Sequence, residues 1–224
     1  MVKMKVKHYL RAMRKFVTLS LSMAAFAAAS CSQAQDAPTV TTTIPAVAQP
    51  VSAVIGEAFD GAWEKIDAES HLKFTAKQQG DEFTGQFETF ETDIVFDPAN
   101  LEAASIKAVI DITSVAAGSK DRDGALPGKD WFFVKKFPNA VFESTEFSKT
   151  GDDSYEAAGT LSIKGVSQPL TLPFTLTITD GIADMSGQVT IDRTQWKVGS
   201  GAWSTDEWVS TAVVLDIKIK AEAK

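Results

Sequence analysis

The sequence predicts an all-β domain: an antiparallel barrel of about eight strands, with a two-sheet sandwich as the alternative. Three observations predict it. Apolar and polar residues alternate with period two along most of residues 62–224. The alternating runs are short and bounded by Gly, Asp or Asn. The long apolar runs and helical crossovers that a parallel sheet needs do not occur.

The runs follow in order. Leu72, Phe74 and Ala76 open the series, and Phe83, Phe87, Ile94 and Phe96 mark the next short runs. Ile106, Ala108, Ile110 and Ile112 repeat the pattern, and Phe142, Leu161 and Ile163 continue it. In the run 171–179, Leu172, Phe174, Leu176 and Ile178 share one face, opposite Thr171, Pro173, Thr175, Thr177 and Thr179. The last run places Val209, Thr211, Val213, Leu215, Ile217 and Ile219 together. The stretch "GSKDRDGALPGKDWFF" breaks this rhythm and predicts a helical turn or two over 121–126. One-sided antiparallel strands must close or stack, and about eight make a barrel just wide enough for side chains or one small ligand.

A length of 224 residues suits one domain and a targeting segment. Residues 1–34 read as an export signal: a basic start, an apolar run from Phe16 to Ala29, then small residues. The apolar run is too short to span a bilayer, and Met13 is a second candidate start. Cys31, the only cysteine, follows Ala28, Ala29 and Ser30 as the lipidated cysteine of a lipoprotein would. Cleavage after Ala34 instead would release a soluble form without it. The expected location is thus the periplasm or the envelope, anchored in the first case through lipidated Cys31. Residues 35–61, with three prolines and four threonines between 36 and 58, read as a flexible linker, and 62–224 as the folded domain. No intrachain disulfide can form, so the core must hold the fold.

The formal charge of −7 becomes −13 without the six leader lysines and arginines, because residues 1–34 contain no acid. Such a surface repels phosphate backbones, which argues against nucleic acid as a partner. His71 is the one histidine beyond the leader, so no zinc site is expected, and no Asp-rich calcium loop is present. Asp67, Ser70 and His71 do not make a nucleophilic triad, since neighbouring strand residues face opposite ways. His71 is expected to be a solvated surface residue. Carboxylate pairs such as Asp81/Glu82 and Asp152/Asp153 carry no signal for acid–base chemistry without a fixed separation.

Beyond the leader there are two arginines, Arg122 between Asp121 and Asp123, and Arg193 after Asp192. Each is expected to be neutralised by an adjacent carboxylate and to pin a turn. A ligand would then carry a neutral headgroup, although Lys129, Lys135 and Lys136 leave an anionic one open. In "TIDRTQWKVGSGAWSTDEW", Gly199 and Gly201 permit a tight turn or bulge between the last strands. Trp196 and Trp203 either rim a pocket or fill the barrel's base.

Several motifs together resemble the YceI-like family of periplasmic, lipocalin-like proteins. They are "WEKIDAESHLKF", "GQFETFETDIVFDP", "DRDGALPGKDWFFVKKFPNAVFES", "GTLSIKGVSQPLTLPF" and "IDRTQWKVGSGAW". Glu69-Ser70 and Trp196-Lys197 depart from the family's usual His-Ser and Phe-Gly. The second variant is similar to a branch whose domain also occurs joined to membrane cytochromes b, which implies a membrane cytochrome as a partner. The resemblance implies an eight-stranded lipocalin-like barrel with a short helical insertion. Its apolar tunnel would hold a polyisoprenoid lipid or a ubiquinone-type ligand, with no cofactor and no catalytic set.

On that basis the ligand-binding candidates are the large inward side chains Phe74, Phe87, Ile110, Phe142, Leu161, Phe174, Leu176, Val213 and Leu215. Trp131, Phe132, Trp196 and Trp203 join them as lids. The expected function is that of an exported carrier or reservoir rather than an enzyme. A packed barrel that recruits an envelope partner through its acidic face is the first alternative. An enzyme acting on isoprenoid lipids through Arg193, Asp192 or His71 is the second.

Overall fold

A computed structural model describes residues 61–224. The expected export signal with Cys31, and the expected linker apart from its last residue, lie outside the described residues. Eleven strands form one sheet: β1 (Ala62–Lys65), β2 (His71–Gln78), β3 (Asp81–Phe87), β4 (Phe90–Val95), β5 (Ser105–Asp111), β6 (Val115–Ala116), β7 (Asn139–Lys149), β8 (Ser154–Ile163), β9 (Val166–Thr179), β10 (Ile182–Asp192) and β11 (Ala212–Ala223). The one α-helix among the described residues, α1 (Lys120–Ala125), falls in the stretch that broke the period-two rhythm.

Three of the staves are broken in the middle. β2 pairs with β3 and β1 with β4, so 62–78 and 81–95 are two sides of one interrupted hairpin. β3 also pairs with β6 and β4 with β5, which makes 105–116 the next stave. With each broken strand taken once, eight antiparallel staves follow in up-and-down order, and β1 and β2 on β11 close the ring. Closure pairs most of each stave with its neighbours, but 64–71 and 88–93 are not paired with each other. This is the barrel the periodicity predicts, and the sandwich alternative is set aside.

The breaks lie side by side, at 66–70, 88–89 and 112–114. Two hold 3-10 turns, Asp67–Glu69 and Ile112–Ser114, the latter capped by Asp111 accepting from Thr113 N at 2.8 Å. Ser114 bridges the second and third staves: its carbonyl accepts from Glu88 N, and its hydroxyl accepts from Thr89 N at 3.0 Å. Ser70 ties the first stave to β11 instead, donating to Ile66 O and accepting from Lys220 N at 3.0 Å. The hairpins elsewhere turn tightly. Asp180-Gly181, with φ of 51° and 76°, has the positive angles that a two-residue hairpin turn between right-twisted strands requires.

The long connections 117–138 and 193–211 meet at one end of the barrel, called here the upper end. At the lower end, Phe96 packs its ring edge-on against Phe147 and Tyr155, both at 5.4 Å, and against Phe174 at 6.0 Å. Trp63 Nε1 donates to Phe96 O at 2.8 Å and locks the first stave onto this plug. Each ring buried there is worth roughly 1.5–3 kcal/mol. One inward expectation fails: Ile178 is 41% exposed, because the last residues of β9, 177–179, all face solvent.

Candidate functional site

Inside the barrel are two apolar cavities. The upper one has a volume of about 290 Å³ and the lower one about 160 Å³. Leu72, Ile110, Leu161 and Leu215 belong to the walls of both, forming a waist between them. A cavity of about 150 Å³ lined by Leu, Ile and Phe stays dry and admits benzene, so both are large enough for hydrocarbon.

The upper wall carries Phe74, Phe87, Trp131, Phe132, Trp196, Trp203 and Val213. The lower wall carries Phe142, Phe174 and Leu176. With Ile110, Leu161 and Leu215 at the waist, every ligand-binding candidate named from the sequence lines one cavity or both. The sheet explains why. Phe74 stands opposite Gly85, and a Cβ there would sit 2.3 Å from its ring, so the glycine opens the space the ring fills. Further wall residues were not among those candidates: Gln78, Ile191, Val198, Trp63 and Thr92, and also Phe83, Phe96 and Val209, which the apolar runs did mark. Phe90, Thr92, Ile94 and Phe96 share one parity of β4 and its extension, which is the signal that could have found Thr92.

The tryptophans divide the two roles that the sequence left open. Trp196 is 1% exposed, and its Nε1 donates to Leu161 O at 2.8 Å, so it is wall rather than lid. Trp131 and Trp203 pair at 5.7 Å between ring centres, both half-buried, at the upper end.

The expected arginine–carboxylate pairing is corrected. Arg193, 4% exposed, donates to backbone carbonyls throughout: Nε to Ser210, Nη1 to Val198 and Gly199, and Nη2 to Trp203, Thr205 and Val209. Its guanidinium also lies 5.2 Å from the Trp131 ring centre. Asp192 instead accepts from Thr194 N and Oγ1, capping the turn. Burial pushes the Arg193 pKa down and Asp192 and Asp206 oppose the shift, but an arginine stays protonated in proteins. Arg193 is therefore the clasp of the 193–211 loop and has no N–H left for a ligand. Gly199, at φ of +76°, lets the chain pass beneath it.

Arg122 likewise bonds to neutral groups, Nε to Ala117 O at 2.9 Å and Nη1 to Gln78 Oε1 at 3.1 Å, over the Phe83 ring at 4.3 Å. Asp123 accepts from Ala117 N rather than pairing with it. Arg122, Asp121 and Gln78 give the upper cavity its polar rim. Lys129, Lys135 and Lys136 are exposed and belong to neither cavity wall.

His71 gains a partner. It lies on the outer face as expected, but it is half-buried and its Nε2 lies 2.8 Å from Asp216 Oδ1, a partner the sequence did not indicate. Ser70 is committed to the backbone of Ile66 and Lys220, so no Ser–His pair exists. Among the described residues no cluster of three or more His, Cys, Asp or Glu could hold a metal ion.

The profile of the YceI-like domain matches residues 63–221. A UPF0312 protein of Yersinia pestis (strain Pestoides F) is 39% identical over 117 residues, 50% of this chain and 60% of that protein. The chain therefore spans about 60% of the length of that curated relative. The crystal structure of Burkholderia cenocepacia BcnA superposes with a TM-score of 0.68 at 29% identity, over 70% of this chain and 99% of that one. A polyisoprenoid binding domain from Saccharophagus degradans, implicated in plant cell wall breakdown, is similar in fold. Its TM-score is 0.57 at 16% identity, over 75% of this chain and 100% of that domain.

Proposed function

The chain belongs to the YceI-like family, and from that premise we propose that its barrel interior binds an isoprenoid lipid or an isoprenoid quinone. The observation that carries the reading is the pair of apolar cavities inside the barrel that share four aliphatic wall residues. Ligand sites are commonly concave and mostly apolar, with few polar groups. The polyisoprenoid-binding domain of similar fold supports the choice of ligand class.

The volumes bear on chain length. If about 150 Å³ takes six carbons, the upper cavity of about 290 Å³ and the lower of about 160 Å³ take some three five-carbon units between them. Burying three units yields roughly 12 kcal/mol gross at about 0.8 kcal/mol per CH₂. Association costs about 4 kcal/mol or more, which leaves an affinity of about micromolar at most. A carrier or reservoir that must load and unload suits that range.

The protein would work as an exported envelope component, soluble in the periplasm or held to a membrane through lipidated Cys31. A quinone ligand would suit exchange with a membrane cytochrome. Trp131, Trp196 and Trp203 line the upper cavity and report its filling. Titration with a prenyl alcohol or a short-chain ubiquinone should change their fluorescence saturably at one ligand per chain. A flat titration for every isoprenoid tried sinks the reading and leaves the packed-barrel interaction module.

A further inference from the structure

The lower cavity is apolar except at one point. Thr92, on β4 between Phe90 and Ile94, is in its wall, and the Thr92 hydroxyl is buried without a hydrogen-bond partner. It is the one such side-chain atom among the described residues. An unmet buried hydroxyl costs roughly 1–3 kcal/mol. A water is a poor remedy, since it needs two or more polar partners and this wall offers one.

Thr92 also stands beside a gap in the ladder of the barrel wall. The register joins Leu72 to Phe87 and Trp63 to Ile94, while 64–71 and 88–93 between them are not paired across the seam. Outside this gap runs a groove of about 810 Å³ bordered by Glu64, Asp67, Glu88 and Glu91, with Lys65 and Lys224. Trp63, Phe90 and Thr92 border both that groove and the lower cavity, and Phe87 borders both it and the upper cavity. Side chains, not a hydrogen-bonded ladder, separate inside from outside here. Lys65 covers the gap, its ammonium 4.4 Å from the Phe90 ring centre and paired with Asp67.

Resting on the proposed lipid binding, we infer that Thr92 is the internal polar anchor that selects the ligand. Its hydroxyl takes a neutral oxygen, hydroxyl or carbonyl, at one end of an isoprenoid chain. That end sits at the seam, and the hydrocarbon runs up through the waist towards the tryptophans. A phosphate is disfavoured there, because four carboxylates border the groove against two lysines. The rim at Arg122 is the competing headgroup position.

The test is a fluorescence titration of the full chain with farnesol and with the same hydrocarbon lacking its hydroxyl, on wild type, Thr92→Val and Thr92→Ser. Valine keeps the shape and removes the oxygen, and serine restores it. Loss of one hydrogen bond corresponds to roughly three- to tenfold in affinity. Thr92→Val should weaken the alcohol by that factor and hold or tighten the hydrocarbon, with Thr92→Ser recovering the alcohol. An equal effect on both ligands, or none on either, overturns the anchor while lipid binding stands. A selective loss of the alcohol in Arg122→Gln with Thr92→Val silent also overturns it and moves the headgroup to the rim. Failure of wild type to bind either ligand overturns both this inference and the binding it rests on.

Discussion

A Cβ placed on Gly199 would lie 2.0 Å from Nη1 of Arg193. The two residues form a lock in which the backbone, held at φ of +76°, passes against the guanidinium plane. Gly199→Ala meets both a disfavoured backbone angle and a clash with a side chain that cannot move, because its other N–H groups are bonded to carbonyls. We expect a loss of about 2–4 kcal/mol. In a domain of this size that lowers the melting temperature by roughly 4–16 °C. A thermal melt within a degree of wild type contradicts the lock.

Arg193→Met removes the clasp itself. The loop 194–210 then loses the group that gathers the Val198, Trp203, Val209 and Ser210 carbonyls, with a cost of about 3 kcal/mol or more. Hydrogen exchange should rise across that loop while β8 and β9 stay protected. Uniformly faster exchange would show that the arginine supports the whole barrel rather than one loop.

Trp196→Phe keeps an aromatic ring in the wall but leaves the Leu161 carbonyl without its indole donor. A loss of about 2 kcal/mol in chemical denaturation is expected. No loss would mean that the carbonyl finds another donor.

Lys65 carries a pH dependence. Burial pushes its pKa below the ordinary 10.5, with Glu91 opposing. Because the folded pKa is the lower one, charging Lys65 costs folding free energy. That cost is fully present below the folded pKa and fades as pH rises through it towards 10.5. The stability of wild type relative to Lys65→Met should therefore improve from neutral pH towards that value. A gap independent of pH contradicts a desolvated amine at the seam.

The cavity volumes predict a chain-length limit. Across a series of prenyl alcohols, affinity should rise with each isoprene unit up to about three and then level off, as added units find no further wall. A steady gain to much longer chains would require the barrel to widen around its ligand.

How much of this was legible beforehand differs by element. Period two places Leu172, Phe174 and Leu176 correctly, since one stave of a small barrel has only an inside and an outside. It fails at Ile178, where alternation continues but the barrel has ended. The breaks at 66–70, 88–89 and 112–114 were hidden because parity survives them; Ile112 stays buried although it sits in a 3-10 turn. Arg193 was misread because its partners are carbonyls from residues 198–210, and carbonyls leave no mark in a sequence. Adjacent aspartates do, and they drew the reading towards ion pairs that do not form. The seam beside Thr92 depends on which neighbours each half-strand chooses, a property of closure rather than of any one run.

The central claim is that the cavities hold an isoprenoid lipid in the cell. Its most direct test is purification of the full chain from the native envelope without stripping, followed by organic extraction and mass spectrometry. We expect one isoprenoid lipid or quinone per chain, with a neutral oxygen at one end. An extract with no isoprenoid, from protein whose tryptophan fluorescence also ignores added prenyl lipids, would contradict the account.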